Sequence, residues 1–134
     1  MEPSNYTKII LIADDDPEDQ EMIGNAIFSI DPGIQVAKVS DGREALGYLK
    51  DCPADVFPGA MILDYNMPVL TGAEVLAALQ GHVLYGNIPK FVWSTSNFKP
   101  YIEECMRNGA AAYFVKPDSP EQLRTLVRQV INAM

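Results

Sequence analysis

The chain has 134 residues, 48% of them hydrophobic, with 18 acidic against 10 basic side chains and a net charge of −8. That is enough chain for one core and a single domain over residues 1–134, and too little for a second catalytic or DNA-binding domain beside it. The acidic balance excludes a phosphate-backbone binder and argues against anionic membrane surfaces, so neither direct nucleic acid nor membrane is expected as a partner.

Five short apolar runs follow one another along the chain: "KIILIA" (8–13), "IQVAKV" (34–39), "AMILD" (60–64), "IPKFVWS" (88–94) and "AAYFV" (111–115). Four are nearly continuous in apolar residues, as expected of strands covered on both faces in a parallel sheet, whereas the patchier second reads as an edge strand. Helical patterns lie between and after them. Met22, Ile23, Ala26, Ile27 and Ile30 form the stripe of the first, and Leu123, Leu126, Val127, Val130 and Ile131 that of the last. Asp16 before Pro17, Asp41 with Glu44, Thr71 with Glu74, and Ser119 with Pro120 and Gln122 read as helix starts. Pro32-Gly33, Gly81 and Asn108-Gly109 read as stops. The order is (βα) five times over, which predicts an α/β, doubly wound, flavodoxin-like three-layer sandwich around a five-stranded parallel sheet with right-handed crossovers.

No run approaches the ~20 apolar residues of a membrane span. Cys52 and Cys105, without an apolar leader ahead of them, read as small reduced thiols packed like hydrophobes, and the expected location is cytoplasmic. His82, the only histidine, falls at the end of the third helix, near the sheet edge away from the acids, and reads as a surface or capping residue.

In an open parallel sheet the carboxyl ends of the strands share one edge, and ligands bind in the crevice there. The first run ends in Asp14-Asp15-Asp16, the third in Asp64, the fourth in Ser94-Thr95-Ser96 and the fifth in Lys116-Pro117. Each has a bland reading alone: a helix start favoured by the macrodipole, a turn hydroxyl, a surface lysine. Together they describe a site. Clustered carboxylates without a cation repel one another, and a few oxygen ligands suit Mg²⁺ or Mn²⁺ better than calcium or zinc. A carboxylate beside such an ion, with a lysine and a hydroxyl in reach, is equipped to accept a phosphoryl group. Asp16 is assigned to capping rather than to the metal.

"LIADDD", "LDYNMP" followed four residues later by Gly72, "VWSTS" and "YFVKP" resemble the motifs of the two-component response-regulator receiver family, over roughly residues 7–133. The resemblance implies a phosphoacceptor signalling domain without an output domain, having at most self-phosphorylation and self-dephosphorylation activity. It implies Asp64 as phosphoacceptor, Asp14 and Asp15 as the acidic pair around the metal, and the Asn66 backbone carbonyl as a further metal ligand. It implies that Lys116 pairs with the phosphoryl group, that the peptide bond from it to Pro117 is cis, and that Ser94 and Tyr113 are the switch pair, the tyrosine ring turning from exposed to buried. The implied partners are a sensor histidine kinase or histidine phosphotransfer protein as donor, and a downstream protein or second copy meeting the 101–133 surface.

Ser94 stands where threonine is more frequent in the family and Thr95 where many members have alanine or glycine, while Asn66 and Ser96 flank the expected path of attacking water. Tyr113 also fits an ordinary aromatic in a half-covered strand, and Trp93 reads as core. Two other classes fit the motifs less well. A haloacid-dehalogenase-like phosphatase needs an aspartate where this chain has Asn66, and its nucleophile ends the first strand of its domain. A silent receiver or flavin-binding module would lack the acceptor set, or would carry a hydroxyl-rich phosphate loop after the first strand.

Overall fold

The computed structural model describes residues 8–53 and 56–134; the onset of the expected core at residue 7 lies outside them. Five strands, β1 (Ile9–Ala13), β2 (Gln35–Val39), β3 (Ala60–Asp64), β4 (Lys90–Ser94) and β5 (Ala112–Val115), alternate with α1 (Pro17–Ile30), α2 (Gly42–Asp51), α3 (Gly72–Leu79), α4 (Lys99–Arg107) and α5 (Pro120–Ala133). All strand pairs are parallel, in the order β2-β1-β3-β4-β5, which is the predicted doubly wound sheet with β2 at an edge.

The period-two geometry of a strand splits the core into two halves. Leu11, Ala13, Met61, Leu63 and Val92 face α2, α3 and α4. Ile10, Ile12, Ile62, Phe91 and Trp93 face α1 and α5, where Ile23, Ile27, Leu126, Val127 and Val130 are buried. Met22 departs from its predicted place in the α1 stripe and is 47% exposed. The seam of α1 runs through Gln20, Ile23, Ala26 and Ile27, spaced by three, three and one, which leaves Met22 at the rim of a groove facing the start of α5.

The helix starts are capped as the sequence predicts. Asp16, Asp41, Thr71 and Ser119 accept backbone N–H bonds from Glu18, Glu44, Glu74 and Gln122, and Thr71 with Glu74 forms a reciprocal capping box. Gly81 and Gly109 follow the α3 and α4 ends with φ of +76° and +98°. Exposed His82 accepts from the backbone N–H groups of Leu84 and Tyr85 through Nδ1, so it caps the α3–β4 connection. Cys105 is buried and Cys52 half-buried; both are free thiols. Among the described residues no helix is long and apolar enough to cross a membrane.

Candidate functional site

The strand order reverses between β1 and β3, and their carboxyl ends open the crevice in which an α/β sheet of this kind holds ligands. Asp14 leaves β1 there and Asp64 ends β3 there, both buried, while Asp15 is exposed at the rim. One carboxylate oxygen from each of the three lies within 4.8 Å of the others. Asp16 is outside this group and caps α1 instead, its Oδ1 accepting from Glu18 N at 2.9 Å.

Backbone and side-chain bonds fix the two buried acids. The Asp14 N–H donates to Val39 O on β2, and the buried Gln20 amide donates to both Asp14 O and Val39 O at 2.7 Å. Tyr65 N donates to Trp93 O, and Gly72 N donates back to Tyr65 O, folding the loop after Asp64 tightly onto the strand end. A β-carbon at Gly72 would come within 2.8 Å of the Asp64 carbonyl oxygen, so this approach requires glycine. Within the same loop Leu70 N bonds Pro68 O around Val69, a β-branched residue held at φ +71°.

Lys116 reaches across from the end of β5. Its Nζ lies 2.8 Å from Asp19, 3.1 Å from Asp14 and 3.4 Å from Asp64, and 4.8 Å above the Trp93 ring. Burial pushes Asp64 up to about 7, with the nearby Asp14 charge adding to the rise and Lys116 opposing it. Burial also raises Asp14, against the Asp16 N–H bond and Lys116. Burial alone would lower Lys116, but the Asp19 bond and the charges of Asp64 and Asp14 leave it raised. Asp14, Asp64 and Asp19 thus share one ammonium, and Asp15 adds a further carboxylate at the rim, which leaves negative charge in surplus. Hard oxygen donors of this number fit a Mg²⁺ or Mn²⁺ ion.

Ser94 ends β4, fully buried, and its Oγ accepts from Ser96 N at 3.1 Å. Tyr113 is half-buried and its hydroxyl donates to Ser96 O at 2.7 Å, so the exposed ring implied by the family pattern is not the arrangement seen. Lys116–Pro117 also departs from expectation: no peptide bond among the described residues is cis. In this trans geometry Lys116 N bonds Ser94 O while its ammonium reaches the acids, and trans is the ordinary X–Pro preference. Asn66 is exposed, with its N–H 3.3 Å from Asp64 Oδ1.

Three participants are absent from the sequence reading. Asp19 is the nearest carboxylate to Lys116, and Gln20 holds Asp14; both sit in the first turns of α1, one residue apart, where they look like ordinary helix-start polars. Tyr65, next to the acceptor, donates its hydroxyl to Glu104 on α4 at 2.7 Å and stacks on Tyr101 at 4.4 Å. The motif "LDYNMP" contains Tyr65, but nothing local to it points to Glu104.

Comparison with known proteins agrees with this geometry. The response regulator receiver domain model matches residues 10–128, and the chain belongs to that family. It is 31% identical over 115 residues to the two-component response regulator ARR15 of Arabidopsis thaliana, covering 81% of this chain and 55% of that protein. It is 30% identical over 122 residues to ORR11 of Oryza sativa, covering 91% and 80%. Among solved structures it is similar to the phosphorylated cyanobacterial phytochrome response regulator RcpA, with TM-score 0.82, 29% identity, and 92% and 91% of the two chains covered. It is also similar to chemotaxis response regulator CheY4 of Vibrio cholerae, with TM-score 0.77, 29% identity, and 92% and 98% covered. The protein thus carries a two-component receiver, a signalling domain rather than an ordinary enzyme. Receivers hold Mg²⁺ or Mn²⁺ at an acidic pocket, and the Asp14, Asp15, Asp64 cluster is consistent with that.

Proposed function

We propose that residues 1–134 act as one receiver unit that takes a phosphoryl group onto Asp64 from a phosphohistidine of a sensor kinase or phosphotransfer protein in the cytoplasm. The observation that carries this reading is the convergence of Asp14, Asp15, Asp64 and Lys116 at the sheet's switch point, with the Ser94 hydroxyl ending the adjacent strand. An Asp64 carboxylate oxygen attacks phosphorus as the P–N bond of the donor breaks, and the imidazole nitrogen leaves with the electron pair and takes up a proton. Asp14, Asp15, Asp64 and the Asn66 carbonyl would hold Mg²⁺, with Mn²⁺ as the substitute. When bound, that ion would supply positive charge that offsets the clustered carboxylates and the incoming phosphoryl group. Lys116 neutralises a phosphoryl oxygen, Ser94 donates a hydrogen bond to another, and the buried strand ends restrict water. RcpA, which is phosphorylated in its crystal structure, supports the same capacity here.

Output follows from a population shift, limited to the difference in contacts that Ser94 and Lys116 make before and after phosphorylation. Ser96 connects Ser94 to Tyr113, so the shift passes to α4, β5 and α5. That surface, within 101–133, meets a downstream protein or a second copy as a phosphorylation-dependent homodimer. The test is intact-protein mass after incubation with acetyl phosphate, with and without Mg²⁺. The expected result is a gain of one phosphoryl group that needs Mg²⁺ and is absent in Asp64→Asn. An unchanged gain in that variant overturns the assignment.

A further inference from the structure

Lys116 distributes its donors unevenly. Its ammonium makes hydrogen bonds to Asp19 Oδ2 at 2.8 Å and to Asp14 Oδ2 at 3.1 Å, while Asp64 at 3.4 Å is an ion-pair neighbour only. The side chains of Lys116 and Asp19 are 14% and 19% exposed, so solvent screens this pair less than an open surface pair. Asp19 is outside the cluster of acids able to share one metal ion. A cation at Asp14, Asp15 and Asp64 therefore satisfies Asp14 and leaves Asp19 as the competitor for the ammonium.

We propose that Asp19 is a positioning residue that parks Lys116 away from Asp64 and thereby slows acceptance of the phosphoryl group. The inference rests on Asp64 being the acceptor. Lys116 stabilises the phosphorylated state only by the amount its new contact exceeds the one it gives up. The Asp19 bond belongs to the unphosphorylated state, so it subtracts from that difference. A charge-assisted bond in a partly buried setting is worth about tenfold in such a balance.

The bland reading of Asp19 is an acid in the first turn of α1, favoured by the macrodipole as its neighbour Glu18 is. Four variants separate the two: Asp19→Asn removes the parking charge, Asp19→Glu keeps it, and Glu18→Gln removes an equal charge from an exposed position in the same turn. Asp64→Asn reports the background. The rate of mass gain from acetyl phosphate with Mg²⁺ is followed in each, with Tm as the folding control. Asp19→Asn is expected to gain the phosphoryl group about tenfold faster than wild type and Glu18→Gln, with Asp19→Glu close to wild type. A rate for Asp19→Asn no greater than that of Glu18→Gln overturns the proposal.

A second readout needs neither donor nor metal. Trp93, the only tryptophan, lies 4.8 Å beneath the Lys116 ammonium, so releasing Lys116 from Asp19 shifts its emission. If wild type takes up no phosphoryl group, it is the reading of Asp64 that fails, and with it the effect on rate, while the emission of Asp19→Asn separately tests the parking of Lys116. Emission identical to wild type contradicts the parking of Lys116.

Discussion

Asp64 is held against its own charge. Burial raises it from 3.8 to about 7, so between those values the folded protein binds a proton that the unfolded chain has already lost. The unfolded state binds fewer protons there, so metal-free stability falls as pH rises through that window and levels off above about 7. Asp64→Asn has no such penalty. At pH 8 without Mg²⁺ it is expected to melt several degrees above wild type, on the scale of about 4 °C per kcal/mol for a domain of this size. At pH 5 the two curves converge, and Mg²⁺ at pH 8 raises wild type more than the variant. Thermal melts over this pH range check this, and parallel curves would contradict it. At the same scale, the acids and Lys116 were legible because each directly follows an apolar run. Asp19, Gln20 and Glu104 were not, because their partners lie 97, 19 and 39 residues away and no local period encodes such a pair.

The elements were legible where local chemistry and burial agree. β3 spans 60–64 as the sequence predicts, and all four assigned N-caps form. β4 begins at Lys90 rather than at 88, where Pro89 has no N–H to donate to the ladder although its carbonyl still accepts from Met61. Lys90 itself lies in an apolar run, yet is buried with its ammonium on the carbonyls of Tyr85, Gly86 and Ile88. Burial lowers its proton affinity, and three carbonyl acceptors satisfy its donors. Sequence shows the lysine but not the loop that folds over it. Gly72 sets how closely α3 approaches the end of β3. Gly72→Ala places a methyl 2.8 Å from the Asp64 carbonyl oxygen and 3.2 Å from Tyr65 Cα, neither of which can swing aside. A loss of roughly 1–3 kcal/mol is expected by denaturant titration, together with slower phosphoryl uptake as the acceptor loop shifts. A variant as stable and reactive as wild type would show that the loop is looser than its bonds indicate.

At the scale of the whole molecule, parallel topology does what no single motif could: it brings residues 14, 15, 64 and 116 together at one edge of the sheet. Five (βα) units were enough to predict that edge, because right-handed crossovers leave few alternatives. The state of the switch was less legible. Tyr113 is already tucked onto Ser96, and Tyr65 ties the acceptor loop to α4 through Glu104, so the site and the output face share contacts that depend on packed geometry. This convergence makes Asp64, and no other acid of the cluster, the proposed phosphoacceptor. The most direct measurement is borohydride reduction of the chain after phosphorylation by acetyl phosphate, followed by peptide mass mapping. Reduction of an aspartyl phosphate leaves homoserine, which is expected at residue 64 alone. Homoserine at Asp14, Asp15 or Asp19, or at no position in a chain that had gained a phosphoryl group, would contradict it.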